Sequence, residues 1–319
     1  MSATLKDVAR ASGVSIRSVR RALKDMSGVS ETTRARVREV AKKLDYVPNV
    51  AARNLRMQTS SFVGIIYSAI NADAYKRRLY DLIARLIEAG YEPLLSSPPK
   101  DFSGVEELVR RWSGITNAII WMNPRVTLLP SLAGFPQKFI LIEETFPADN
   151  CCCISVDRSI GVADAVRSLL KKGHRKILRC GGFSSREEGF LRPFSEPDAP
   201  KDARPLFLDG GAFEYEDGYR AGDKVMASGA DAVFFDVDRM AMGFLRYAHE
   251  HQIPVPERIA VVGFDDDNTS VSAAPPLSSV GHPIRRINEK IVELIRNGIP
   301  GNTTISFKTT FFPRESSGK

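Results

Sequence analysis

The sequence predicts an all-α head followed by an α/β core of two doubly wound lobes. Three observations carry that expectation. The chain has 319 residues, more than one hydrophobic core ordinarily organises. Its charge is segregated: residues 1–60 hold 13 Lys and Arg against 5 Asp and Glu, leaving 32 cations and 33 anions for the rest, so the first sixty residues carry the whole net charge of +7. Beyond Ser61, short β-rich apolar runs alternate with amphipathic helical stretches, the pattern of buried parallel strands joined by helices.

In the head, Thr4 followed by Asp7 forms a capping box for a helix through LKDVARAS, and Gly13 ends it because glycine takes the left-handed conformation cheaply. Ser15 caps a second helix after a short turn, so the pair reads as a helix-turn-helix. On that second helix Val19, Ala22 and Leu23 share one side while Arg17, Arg20, Arg21 and Lys24 share the other. No acid interrupts Ile16 to Lys24, although solvent-facing helices usually interleave carboxylates to relieve repulsion. Such a face suits the major groove of duplex DNA, where an Arg fork bonds guanine while its neighbours hold phosphates. A third helix follows Ser30, with Val37, Val40, Ala41 and Leu44 at helical spacing. The segment VAARNLRM has helix formers but only two turns, so it folds against a partner or serves as a flexible linker.

In the core, FVGIIY, the helical DAYKRRLYDLIARLIEAG and YEPLLSS make one βαβ unit. NAIIWM, KFILIE, RKILRCGG, ADAVFF and RIAVVGF supply further strands. Ligands of open α/β sheets sit beyond the carboxyl ends of strands. The residues there are Tyr67, Asn71, Tyr75, Trp121 and Glu143 in the first lobe, and Arg186, Phe213, Asp238 and Asp265 in the second. Aromatic faces, a guanidinium and carboxylates together suit a small polar ligand between lobes.

TLKDVARASGVS, VSETTRARVREVAKKLDYVPNVAARNL, and later VVGFDDD with PPLSSV resemble the lactose-repressor (LacI/GalR) family of bacterial transcription regulators, over essentially the whole chain. The resemblance implies a homodimer on a pseudo-palindromic operator and a periplasmic-binding-protein-like core with an effector cleft. It implies a hinge helix at 47–60, with Leu55 wedged into the minor groove beside Ala51, Ala52 and Arg53, and base reading by Ile16, Arg17 and Arg21. The DNA-contacting set is completed by Thr4, Ser15, Ser18, Arg20, Lys24, Ser30, Thr33 and Asn49. Arg186 and Asp265 match polar effector contacts of the family, and Phe213 an aromatic that stacks on the ligand. The chain departs from the family at Ser18-Val19-Arg20-Arg21, where Thr-Val-Ser-Arg is common. It departs again at Val237-Asp238 and at Asn71-Ala72-Asp73-Ala74, where sugar-binding relatives show Asn-Asp and Asn-Pro-Phe-Phe. The expected division is 1–46 for the DNA-binding head, 47–60 for the hinge and 61–319 for the core. The first lobe is placed at about 61–157 with 283–300, the second at about 158–282 with 301–319.

Composition narrows the alternatives. With 43% hydrophobic and 26% charged residues the chain is globular rather than disordered, and no apolar run reaches the roughly 18–20 residues of a membrane span. MSATLKDVAR lacks a signal-peptide core, and Cys151, Cys152, Cys153 and Cys180 make no disulfide framework, so a cytoplasmic location is expected. No GxSxG, GxxxxGK[ST], HExxH or paired CxxC appears, so no enzyme, metal site or cofactor is expected. The rival readings are a solute-binding protein, an α/β enzyme with a DNA-targeting head, and a constitutive DNA-binding protein whose cleft has lost its ligand.

Overall fold

A computed structural model describes residues 3–23, 25–46, 60–68, 73–99, 101–124, 134–143 and 149–318. The chain divides into two compact units, Met1–Ser60 and Ser61–Lys319.

The described part of the first unit is three helices, α1 (Leu5–Ser12), α2 (Ile16–Leu23) and α3 (Glu31–Lys43). Their ends are set locally. The Thr4 hydroxyl accepts from the Asp7 amide while the Asp7 carboxylate accepts from the Thr4 amide at 2.9 Å, and Gly13 takes φ 66° after α1. The Ser15 hydroxyl accepts from the Ser18 amide at 3.1 Å, and the Ser30 hydroxyl accepts from the Thr33 amide. Caps of this kind contribute about 0.5–2 kcal/mol each. The helices close on a core of Val8, Val19, Ala22 and Val37, with Ile16, Leu23, Val40 and Tyr46 packed at its margin. Small side chains let three short helices approach closely.

The second unit holds two six-stranded sheets. The first lobe begins with β1 (Phe62–Ile66), α4 (Asp73–Glu88), β2 (Glu92–Ser96), α5 (Val105–Ser113), β3 (Thr116–Met122), β4 (Phe139–Ile142) and β5 (Cys151–Asp157). The chain then enters the second lobe: α6 (Ser159–Lys171), β6 (Lys176–Gly181), α7 (Ser184–Leu191), β7 (Arg204–Asp209), α8 (Tyr215–Arg220), α9 (Gly222–Ala227), β8 (Ala232–Phe235), α10 (Asp238–Glu250), β9 (Ala260–Asp265), α11 (Asn268–Ser272) and β10 (Ser278–Gly281). α12 (Ile284–Asn297) and β11 (Thr303–Lys308) return to the first lobe, and β12 (Thr310–Phe312) ends in the second.

The first sheet has the order β11-β5-β4-β3-β1-β2, with every pairing parallel. The second has the order β12-β10-β9-β8-β6-β7, parallel except where β12 runs against β10. Strands covered on both faces need apolar side chains on both, which is why β4 reads FILI and β8 AVFF, buried throughout. Cys152 faces one layer of the first lobe and Cys151 and Cys153 the other, as strand alternation requires.

One expected boundary is corrected. Thr303–Lys308, placed with the second lobe at 301–319, pairs in parallel with β5 in the first sheet. Only after Thr309 does the chain cross back. Thr309 is buried at that crossing; its amide and hydroxyl donate to the Asp157 carbonyl, both at 3.1 Å, and its hydroxyl accepts from the Gly161 amide. It ties one crossing segment to another. No helix among the described residues is long and apolar enough to cross a membrane.

Candidate functional site

On α2 the apolar side is buried at Val19 and Ala22, while Arg17 and Arg20 are exposed and Arg21 is half-buried. Among the described residues no carboxylate pairs with these three arginines. The nearby acid Asp25 is taken by α3, through Arg34 at 3.1 Å and through Arg38. Arg21 lies back against Gly28, whose φ of 89° and missing Cβ leave room for the guanidinium. Ile16, expected to read bases, is partly buried against the helical core. Thr4, Ser15, Ser18, Ser30 and Thr33 make hydrogen bonds at the helix starts, so their first role is capping. Lys24, Asn49, Ala52, Arg53, Leu55 and all but the last residue of the hinge expected at 47–60 lie outside the described residues.

In the core, strand ends from both sheets bring together Glu143, Arg186 and Asp265. Glu143 follows β4 and is gripped by Arg78 of α4 at 2.6 Å and by Arg158, the residue after β5. Burial alone would raise its carboxyl, but Arg78 and Arg158 hold it down at about 2. Arg186 on α7 lies between two aromatic faces, 4.5 Å from the Phe183 ring and 3.8 Å from Phe264, with Asp265 at 3.9 Å. Phe213 stacks on Phe183 with ring centroids 4.3 Å apart. His282, just after β10, meets Phe264 edge-on and lies 3.9 Å from Asp265. Arg77 of α4 crosses the cleft to donate to the Asp265 carbonyl at 3.0 Å and to Asn268 at 3.2 Å. Glu143, Phe213 and Asp265 have φ of 72°, 65° and 114°. Such backbone is costly for residues with a Cβ and concentrates where a side chain must be aimed.

Burial pushes the Asp265 carboxyl up to about 8, against the pull of Arg186. Burial, with Arg78 adding to it, holds the His282 imidazole well below its ordinary value. The folded protein therefore keeps a proton on Asp265 that the unfolded chain releases near pH 4, so this group's contribution to stability falls as pH rises from about 4 towards 8. Below about pH 6.5 the uncharged His282 acts in the opposite sense, because only the unfolded chain takes up that proton. From about pH 6.5 to 8 the wild-type unfolding free energy should therefore fall more steeply than that of Asp265→Asn. Parallel profiles for the two proteins in urea titrations would refute this reading of Asp265.

Bacterial regulatory proteins of the lacI family match residues 4–49, and the periplasmic binding protein-like domain matches residues 166–317. The chain belongs to the LacI family. It is a DNA-binding transcriptional regulator with an effector-binding domain, not an enzyme. Catabolite control protein A of Priestia megaterium is 27% identical over 309 residues, covering 92% of each chain. A lac repressor dimer bound to operator and an anti-inducer superimposes with a TM-score of 0.78 at 21% identity, covering 100% of each chain. A CelR–cellobiose complex does so with 0.63 at 24% identity, covering 98% of this chain and 99% of that one. At those identities the two structures establish the fold.

In this LacI-family chain two expected cleft residues lie elsewhere. Trp121 is fully enclosed between β3 and α5, packed with Phe102, Trp112 and Phe139, because the last residues of a strand still alternate faces and this one faces the helix. Asp238 has no exposed surface. Its carboxylate accepts from the Asp267 amide at 2.8 Å and from the Ser270 and Ser279 hydroxyls, both at 2.6 Å, so it fastens α10 to α11 and β10. Tyr67 packs beside the apolar core of the first lobe, and the Tyr75 hydroxyl accepts from the Ser68 amide at 2.9 Å. Asn71 lies outside the described residues.

Sequence reading missed Arg78, Arg158, Phe183, Asp236 and His282. Arg78 carried a signal, since it interrupts the inward stripe Tyr75, Leu79, Leu82, Leu86 of α4. Asp236 is fully buried, accepts from Arg179 at 2.7 and 2.9 Å and from the Gly182 and Phe183 amides at 2.9 Å, and so fixes the loop that presents Phe183. Gly181 must be glycine there, because a Cβ would land on the Asp236 carboxylate.

Proposed function

We propose that this LacI-family chain is a cytoplasmic repressor that binds a pseudo-palindromic operator as a homodimer. A small polar effector, a carbohydrate or a derivative of one, binds between the lobes and modulates that affinity. The observation that carries the reading is the arginine face of α2: Arg17, Arg20 and Arg21 with no compensating acid on the helix. A single helix-turn-helix contacts too few base pairs for specificity, so two half-sites are needed. Exposed Tyr80 and Ile87 on α4 and Leu95 on β2 favour an apolar contact between protomers through the first lobe. The Phe213–Phe183 stack beside Arg186 and Asp265 supports a sugar-like ligand, which needs an apolar face and hydrogen-bonding groups together. The solved CelR complex holds cellobiose. Effector and operator affinities are then coupled reciprocally, because lobe closure favours one arrangement of the heads.

Selection from a randomised duplex pool tests the reading. The protein should enrich a palindrome whose half-site centres lie about one helical turn apart. Retention that follows salt concentration but enriches no sequence would overturn it.

A further inference from the structure

Three arginines converge on the cleft from different elements, Arg78 from α4, Arg158 from the crossing after β5 and Arg186 from α7, and a fourth, Arg77, bridges it. Among the described residues the carboxylates that meet them are Glu143 and Asp265, with Asp236 acting on Arg186 from farther off. Asp266 is paired with Arg314 at 2.6 Å, Asp238 is enclosed by its own three donors, and Asp267 heads α11. Asp265 is moreover pushed by burial towards its protonated form, which weakens its offset of the positive charge at neutral pH, while His282 is held uncharged and neither adds to that charge nor offsets it.

Arg186 is the decisive group. It is only 7% exposed, with both faces against aromatic rings. Among the described residues its Nε and Nη1 have no hydrogen-bond partner, and the carboxylate nearest to it, that of Asp265 at 3.9 Å, is beyond hydrogen-bond reach. A desolvated guanidinium with two unmet N–H donors is costly, and an oxyanion that reaches either donor makes short charge-assisted bonds with it. The His282 Nδ1 and Arg78 Nε are also enclosed without partners among the described residues. A neutral polyol would leave the surplus charge uncompensated.

Resting on the effector reading above, we infer that the ligand of this cleft is an acid: a polyol bearing a carboxylate or a phosphate that seats against Arg186, with Arg158 and Arg78 supplying the counter-charge.

Matched sets test this in the full-length wild-type protein: glucose, gluconate and glucose 6-phosphate; galactose, galactonate and galactose 6-phosphate; ribose, ribonate and ribose 5-phosphate. Thermal shift ranks them and calorimetry measures affinity, since a ligand of the native state raises Tm by mass action. The expected result is that at least one acid binds at least tenfold more tightly than its neutral parent. Carboxylate and phosphate members separate the two oxyanions. Arg186→Gln, checked for folding by its unliganded melting curve, should weaken that acid by about 10- to 100-fold, the range of a hydrogen bond to a charged group. If a neutral sugar binds as well as its acids, the anion inference falls and the effector reading stands. If no member of any set binds, both fall.

Discussion

Asp236→Ala is expected to lower the unfolding free energy of the core by about 3–5 kcal/mol, the cost of leaving a buried charge without its partner. Arg179 and Asp236 are almost entirely enclosed at the ends of β6 and β8, joined through two hydrogen bonds. With the carboxylate gone, the guanidinium keeps the Phe183 carbonyl at 2.6 Å and an exposed carboxylate, Glu187, at 3.6 Å. Two loop amides, Gly182 and Phe183, lose their acceptor at the same time. Glu196→Ala is the control. Its bidentate pair with Arg167 is partly solvated, so its loss should cost less than about 1 kcal/mol. Urea unfolding of the two variants measures both. A loss below about 1 kcal/mol for Asp236→Ala would mean that Arg179 relaxes into water and that the pair is not structural.

Arg17→Ala and Arg21→Ala should each weaken operator binding by about 1–3 kcal/mol if each guanidinium bonds a base edge, with a much smaller loss on random duplex. Arg20→Ala should weaken both duplexes equally and reduce the salt dependence of binding by about one counterion per site. The structure separates the two base-reading candidates: Arg17 is exposed, whereas Arg21 is half-buried and rests against Gly28. Arg21 must therefore lift away from the turn or read from a constrained position, and a constrained side chain loses less entropy on binding. Fluorescence anisotropy on the selected operator and on a scrambled duplex distinguishes the outcomes. Equal losses on both for Arg17→Ala would make it a phosphate contact.

The head was legible in the sequence because its determinants are local. Thr4 and Asp7, Ser15 and Ser18, and Ser30 and Thr33 are each three residues apart, and the structure pairs them as spacing predicts. The core's class was legible because strands buried on both faces read as apolar runs. β7, β10, β11 and β12 escaped because their runs are short or broken by polar residues, RPLFLD, SSVG, TTISFK and TFF. Glu143, Arg186, Phe213 and Asp265 all follow strands, but a place near a strand end does not say which face a residue takes, and Trp121 takes the helix side. Asp238 was illegible for a different reason. The donors that enclose it, Ser270 and Ser279, are 32 and 41 residues away, and nothing local to FFDVDRM announces them. Arg158 and His282 sit on the segments that pass between lobes, so their approach to Glu143 and Asp265 follows from the crossings rather than from any motif.

The buried row of cysteines makes the protein chemically quiet while folded. Cys151, Cys152, Cys153 and Cys180 are all enclosed, and burial raises the thiols of Cys151 and Cys180 to about 12 and that of Cys152 to about 11. Thiolate, the form that attacks disulfides and alkylating reagents, is thus scarce and out of reach. Three of these sulfurs belong to the first sheet and one to the second. Alkylation therefore acts as a two-channel clock: reagent captured at 151–153 records the opening of one lobe, and reagent captured at 180 the opening of the other, with no label introduced into the chain.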